Sequence, residues 1–342
     1  MKRLKKFGDR LLEWYKQNQR SLPWNESSDP YEIWVSEIIL QQTQVTQALP
    51  YYKRFLKTFP DIRTLAEADQ DEVLKSWEGL GYYSRARNLH KGARYVQENY
   101  EGRLPRSRQE LLTIPGIGPY TSSAIAAFAF GQSEAVVDGN VLRVMSRYLA
   151  LTHDISKATT RLEIERLSKT ALRGHDPADY NRAIMDLGAT ICRPRQPLCE
   201  ECPVNEYCEA RANDLIDVLP FNSKKIVRQQ RYLHYFIITE NNELVVEKRR
   251  NEGIWKGLYQ LPLIETTSKL EEPELGQLSM GSTGPFRPLH GLKHQLTHQT
   301  LHIEFYGPSE DGQFKIESDA IARAIEKYAF PVPIRRTLQR LI

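Results

Sequence analysis

All four cysteines of this 342-residue chain fall between positions 192 and 208, spaced C-x6-C-x2-C-x5-C. Four thiols in one short stretch, with none elsewhere, point to a metal site rather than a disulfide framework. The segment must therefore fold around a group that draws Cys192, Cys199, Cys202 and Cys208 to one place. Four thiolates suit either a tetrahedral zinc or an iron–sulfur cluster. Zinc sites more often carry two short C-x-x-C knuckles, and here there is one. Arg193, Arg195 and Arg211 flank the loop. They suit contact with a phosphate backbone, although solvated arginines are the plainer alternative.

A second stretch, 111–140, carries its own signal. An apolar helix pattern (Leu111, Leu112, Ile114) is broken by Pro115-Gly116-Ile117-Gly118-Pro119. Pro119 suits the first turn of a new helix, where a missing N–H costs nothing. Gly116 and Gly118 leave no Cβ between the backbone and whatever approaches. Free N–H groups at a helix N-terminus favour an anion such as a phosphate. The new helix is lined with small residues from Tyr120 to Ala129, and Asp138 follows in a Val-Asp-Gly-Asn turn. Asp before Gly is also a common turn or cap residue.

The length predicts two domains, each with ample core. No apolar run is long enough to span a bilayer, and the amphipathic N-terminus lacks a signal-peptide core, so a cytoplasmic protein is expected, at the nucleoid if the cell is bacterial. The net charge of +4 neither demands nor excludes nucleic acid. A helix is predicted over about 4–18, and another from Asp29-Pro30, with Asp29 as its cap. That second helix presents Glu37 among Ile33, Trp34, Leu40 and Gln41. A carboxyl in such company is poorly solvated, so its pKa should rise, which suits a general acid near neutral pH. Trp77-Glu78-Gly79-Leu80-Gly81-Tyr82-Tyr83 precedes Arg85 and Arg87. A glycine-flanked aromatic pair followed by arginines suits a wedge into DNA, or a buried tyrosine pair between helices.

The first domain is expected to end near 215, as two helical lobes: about 28–135, and the N-terminal helix with 136–215. Residues 216–230 read as a linker. The periodicity then changes to strands at Tyr232–Thr239 and Glu243–Arg249, around a turn at Asn241-Asn242. Residues 265–285 carry no assignable pattern. His290, His294, His298 and His302 are spaced by four, but the residues around them alternate with period two, so a strand without metal is preferred to a metal-binding helix. The last segment, from Ser318, is helical, and Pro331 and Pro333 precede a short basic helix.

The hairpin, the later acid, the cysteine spacing and the run Ser36-Glu37-Ile38-Ile39-Leu40-Gln41-Gln42-Thr43 together resemble the MutY-type adenine DNA glycosylases of the helix-hairpin-helix, endonuclease III superfamily. The resemblance covers nearly the whole chain, strongly over 1–215 and more weakly after 230. It implies a mainly α fold. A two-lobed glycosylase domain (1–215) would carry an iron–sulfur loop (192–208) holding a 4Fe-4S cluster. A linker (216–230) and a C-terminal α+β Nudix-like domain (231–342) would follow. The Nudix catalytic box is missing, so the last domain should bind and not hydrolyse.

The implied substrate is adenine opposite 8-oxoguanine or guanine in duplex DNA, flipped out of the stack, with the enzyme acting as a monomer away from membranes. Glu37 would protonate the adenine; endonuclease III lacks an acid at this place. Asp138 would stabilise the sugar cation, with Tyr120 helping to position it. Related lyases carry a lysine where Tyr120 stands, so the resemblance implies a monofunctional hydrolase. Arg20, Leu22 and Trp24 would line the adenine pocket. Gln42 and Thr43 would lie beside the opposite base, Tyr82 would insert as the wedge, and Gly116 and Gly118 would meet the backbone. Leu296, Thr297 and His298 match a Phe-Ser-His loop that recognises oxidised guanine, with leucine in place of the aromatic. Asp138 at a helix N-terminus should have a lowered pKa, opposite to Glu37. Two rivals are a bifunctional lyase for oxidised pyrimidines, opposed by Tyr120 and Glu37, and a non-catalytic damage-binding protein, opposed by Glu37 and Asp138.

Overall fold

The computed structural model describes residues 2–224, 227–250, 253–268, 286–310, 313–314 and 317–342. Most of the stretch without an assignable pattern, 269–285, lies outside the described residues. The chain divides into two compact units, Met1–Glu67 with Asn88–Lys224, and Ala68–Arg87 with Lys225–Ile342.

The described helices, in chain order, are α1 (Lys2–Asn18), α2 (Pro23–Glu26), α3 (Pro30–Leu40), α4 (Val45–Thr58), α5 (Ile62–Glu67), α6 (Gln70–Ser76), α7 (Ser84–Tyr100), α8 (Arg108–Leu111), α9 (Pro119–Phe128), α10 (Gly139–Tyr148), α11 (Ala158–Leu172), α12 (Pro177–Thr190), α13 (Glu209–Ala212), α14 (Ser318–Lys327) and α15 (Val332–Leu338). The first unit is built from α1–α5, most of α7 and α8–α13. Leu4, Phe7, Leu11 and Tyr15 recur at helical spacing on α1 and are buried against Val141, Met145, Ile164 and Leu187 of α10–α12. The N-terminal helix thus joins the later helices in one core, as the sequence predicts for the second lobe.

In the other lobe, α3 is buried nearly all round, from Ile33 to Ile39. It starts where expected: Asp29 accepts from the N–H groups of Tyr31 (2.7 Å) and Glu32 (3.3 Å), with Pro30 in the first turn. It packs against α9, whose residues Thr121–Ala127 are all buried. Small side chains there let the two backbones approach closely.

The turn between α8 and α9 holds the two glycines. Gly116 has φ +85°, and a Cβ on it would lie 2.8 Å from the Cβ of Asn88. Gly118 has φ −92° and ψ −177°, and nothing would obstruct a Cβ there. Only Gly116 is required by the turn itself. Gly116→Ala is therefore expected to cost about 2 kcal/mol or more, from left-handed strain plus the clash. Thermal unfolding checks this, and Gly118→Ala should be far milder.

The second unit holds a sheet in the order β6-β1-β8-β7, made of β1 (Gln229–Phe236), β6 (Leu263–Thr266), β7 (Phe286–Gln295) and β8 (Gln299–Glu310). β1 runs parallel to β8, and the other pairs are antiparallel. Short bridges pair β2 (Thr239–Glu240) with β3 (Glu243–Leu244), β4 (Glu247–Lys248) with β5 (Tyr259–Gln260), and β8 with β9 (Gln313–Phe314). The turn at Asn241 and Asn242 has φ +50° and +61°, a conformation asparagine tolerates. The return strand expected over 243–249 is broken into β3 and β4. His290 and His294 lie on β7 and His302 on β8, so strand periodicity holds there. Leu233, Tyr235, Leu301 and Ile303 of the sheet form a core with Ile321 of α14 and Ile334 of α15.

Residues 68–87, including α6, pack with this C-terminal chain. Val73, Leu74 and Trp77 are buried there at helical spacing, and side-chain ion pairs and hydrogen bonds to the C-terminal chain add to that burial.

Candidate active site and cluster loop

Helix α3 delivers Glu37 to the interior of the first unit, where the residue is 7% exposed. The hydroxyl of Tyr120, in the first turn of α9, donates to its Oε2 at 2.6 Å. Burial pushes the Glu37 carboxyl up to about 7; the Tyr120 hydrogen bond opposes this, the charge of Asp138 adds to it, and Arg182 opposes it. The acid is therefore held part-protonated near neutrality, as its apolar helix predicts. Burial and the same two carboxylates raise the Tyr120 phenol well above its ordinary value, so it stays a donor.

Asp138 caps α10. Its Oδ1 accepts from Val141 N at 2.8 Å and its Oδ2 from the Asn140 side-chain amide at 2.7 Å. The lowered pKa expected from the helix N-terminus is not what the structure gives. Burial raises the carboxyl above its usual value, and the hydrogen bonds from Val141 and Asn140 offset that only in part. Desolvation wins because the half-buried cap is packed about by protein on most sides. The two carboxyls differ instead in donors: Asp138 takes two from N–H groups, Glu37 one from a phenol.

The remaining candidates of the first unit have definite places. Arg20 is committed to Asp186 of α12, through its Nε at 2.7 Å and its backbone N–H at 3.2 Å. Leu22 is the half-buried residue before α2, and Trp24 is buried with its ring edge-on to Tyr52, centroids 5.5 Å apart. Gln42 is exposed with φ +55° just past α3, and Thr43 is half-buried, its hydroxyl donating to Gln41 O at 3.4 Å.

In the second unit, Tyr82 is 48% exposed with φ +49°. Its hydroxyl lies 2.7 Å from that of Thr297. Arg85 lies over the Tyr82 and Trp77 rings, at 5.6 and 5.4 Å. Leu296, Thr297 and His298 form the turn joining β7 to β8. Leu296 packs against the core of the unit, so it is not held out as a stacking surface, and His298 is exposed.

Sequence reasoning missed two arginines of α10. Arg143 donates to Cys192 O, Gly188 O and Asn140 Oδ1, each at 2.8 Å. Arg147 donates to Arg193 O (2.7 Å), Leu219 O (2.9 Å) and Cys192 Sγ (3.6 Å). The chain Cys192–Arg143–Asn140–Asp138 thus links the cysteine loop to the candidate acid. The available signal was two arginines, four apart, in line with Gly139 and Asn140 on the face of α10 opposite its apolar side. Arg211 pairs with Glu200 at 2.6 Å and Arg193 donates to Gln196 O at 3.1 Å, while Arg195 is exposed.

All four cysteines line one pocket, together with Arg147 and Arg211. Among the described residues, no three His, Cys, Asp or Glu side chains converge tightly enough for a single ion. The four cysteines and two cations lining one space suit an anionic group of several atoms. Burial pushes the Cys202 thiol up to about 12 and raises Cys199 and Cys208, and neighbouring cysteines add to this.

Comparison with known proteins agrees with this geometry. Residues 35–170 match the HhH-GPD superfamily of base excision DNA repair proteins, 192–208 the iron–sulfur binding domain of endonuclease III, and 234–340 a NUDIX domain. An adenine DNA glycosylase of Buchnera aphidicola subsp. Baizongia pistaciae is 35% identical over 306 residues, covering 87% of this chain and 84% of that protein. An adenine DNA glycosylase of Homo sapiens is 44% identical over 214 residues, 60% of this chain and 39% of its own length. Among solved structures, a thermostable thymine-DNA glycosylase superposes with a TM-score of 0.57 at 30% identity, over 62% of this chain and 98% of its own. A non-covalent endonuclease III–DNA complex gives 0.54 at 21% identity, over 62% and 98%, and so shares the fold.

Proposed function

The chain belongs to the adenine DNA glycosylases of the HhH-GPD superfamily, DNA N-glycosylases that here carry a 4Fe-4S cluster on Cys192, Cys199, Cys202 and Cys208, and from this we propose that it removes adenine mispaired with 8-oxoguanine or guanine in duplex DNA. The observation that carries the proposal is a buried glutamic acid, Glu37, held near pH 7 beside Tyr120 and Asp138. The adenine is flipped from the stack, because no side chain reaches its glycosidic bond inside the duplex. Neutral adenine is a poor leaving group. Glu37 gives it a proton as the C–N bond breaks, and the electron pair leaves with the base. Positive charge builds on the sugar, and ionised Asp138 stabilises it, much as paired carboxylates share roles in glycoside hydrolysis. Water then adds to the sugar carbon, and its proton returns to the carboxylate pair.

Tyr120 hydrogen-bonds Glu37 and offers no amine. A Schiff base with the opened sugar needs one. The reaction is therefore hydrolysis without strand cleavage. On this reading Tyr82 holds the vacated stack, Gln42 and Thr43 flank the opposite base, and Thr297 supplies a hydroxyl to read it. The enzyme acts as a monomer. When bound, the cluster supplies four Fe–S bonds that close the 192–208 loop, and Arg143 and Arg147 hold that loop to α10.

The acid must be protonated to work, so excision should fall as pH rises through about 7. Asp138 must be ionised, so a second fall is expected on the acid side, above the ordinary aspartate range. Single-turnover release of adenine opposite 8-oxoguanine, guanine or thymine, with and without alkali, tests the proposal. Release opposite 8-oxoguanine with breaks only after alkali supports it. Strand breaks without alkali would make the protein a lyase, and tight binding without release would make it a damage-binding protein.

A further inference from the structure

The second unit contains a buried charge cluster that the excision chemistry does not use. The side chain of Glu78, four residues before Tyr82, is 2% exposed. Its Oε1 accepts from the backbone N–H of Phe330 at 2.8 Å. Its Oε2 accepts from Lys75 Nζ at 2.9 Å and from Arg335 Nη1. The same ammonium donates to Ile325 O at 2.6 Å and Tyr328 O at 2.8 Å, carbonyls at the C-terminal end of α14. One carboxylate therefore ties the end of α6 to α14, α15 and the link between them. A cation at a helix C-terminus is well placed, and the buried carboxylate needs these two half-buried cations.

Two further anchors flank the cluster. Asp71 accepts from Lys248 Nζ and from the Tyr259 hydroxyl, and Arg87 donates to Lys256 O at 2.6 Å. Gly257 approaches so closely that a Cβ there would meet Leu74 at 3.1 Å. Both ends and the middle of 68–87 are thus fastened to the C-terminal chain, and the free tip carries Tyr82, whose hydroxyl meets Thr297.

We infer that Glu78 is a positioning residue for opposite-base discrimination: it locks 68–87 onto the C-terminal chain, so that the Tyr82 ring and the Leu296–Thr297–His298 turn meet the opposite base as one body. The inference rests on the proposal that this turn reads that base. Charge buried in this way is costly, and a segment that served only to present a ring to DNA would not need it.

The test is single-turnover adenine release opposite 8-oxoguanine and opposite guanine, in the full chain with its cluster. Glu78→Gln is expected to lower the preference for 8-oxoguanine about tenfold, equivalent to about 1.4 kcal/mol. The rate opposite guanine should stay within about twofold. Arg335→Lys, which keeps a cation beside the carboxylate, should retain most of the preference. In a Thr297→Ala background, Glu78→Gln should change the preference no further, because the ring has already lost its partner.

A preference unchanged in Glu78→Gln overturns the inference and leaves the proposed function standing. Losses that simply add in the double variant also overturn it. A parent with no preference removes the base-reading proposal and the inference with it. Should Glu78→Gln fail to fold, Asp71→Asn loosens a half-exposed anchor of the same segment, and an unchanged ratio there is equally decisive against the inference.

Discussion

Glu37→Gln is expected to bind mismatched duplex as the parent does, within about threefold, and to lower adenine release by about 10³-fold or more, the scale of a general acid whose leaving group cannot depart unprotonated. Glutamine keeps the shape of the side chain, and its carbonyl can still accept from the Tyr120 hydroxyl. What it lacks is the proton. The same variant has a second readout, in stability. A carboxyl whose folded pKa is raised from 4.5 to about 7 favours the folded state only while protonated. The parent therefore loses stability as pH rises from the unfolded value through about 7, and the loss persists above it. Glutamine never ionises. Urea unfolding should show the two proteins nearly equal near pH 4.5 and the variant more stable at pH 8. Normal release by Glu37→Gln would remove the acid role, and equal stabilities at both pH values would remove the buried, shifted carboxyl behind it.

Asp138→Asn is expected to lower release by about 10²- to 10³-fold, because charge developing on the sugar loses its fixed counter-charge. The cap itself should survive, since an asparagine oxygen can still accept from Val141 N. A large fall in rate with little change in unfolding midpoint would separate charge from fold. The residual activity carries a further sign. The negative charge of Asp138 raises Glu37, so removing it makes Glu37 easier to ionise. The alkaline limb of the variant's pH profile should move to lower pH. A limb that stays put, measured from pH 5 to 9, would mean that the two carboxyls do not sense each other.

Much of this was legible in the sequence because each signal was local. Asp29-Pro30 marks the start of α3, the apolar neighbours of Glu37 announce its desolvation, and the cysteine spacing announces its loop. Asn241-Asn242 marks its own turn. What was not legible depends on burial or on distant partners. The carboxyl of Asp138 looked like a surface cap, for which the helix N-terminus would lower its pKa. Desolvation by the protein around the half-buried carboxyl reverses the balance, and no local pattern reports it. Arg143 and Arg147 read as ordinary helix arginines until the carbonyls of Gly188, Cys192 and Arg193 come round to meet them. Gly116 and Gly118 looked alike, yet only the first has Asn88 pressed against it. The membership of 68–87 was hidden for the same reason: its partners at Lys248, Tyr259, Phe330 and Arg335 lie some 170 to 260 positions further on.

That discontinuity bears on how the protein is made. Synthesis delivers 68–87 well before its partners at 248–335, so Asp71, Lys75 and Glu78 must wait, hydrated and unpaired, until those residues have emerged. Residues 1–67 and 88–224 can close their own core meanwhile, with the waiting segment as an insertion. The second unit therefore folds late and over long sequence separation, the kind of contact that forms slowly. A nonsense mutation between 224 and 248 does more than delete an appendage. It strands the segment bearing Tyr82, which the surviving polypeptide still encodes but can no longer hold in place.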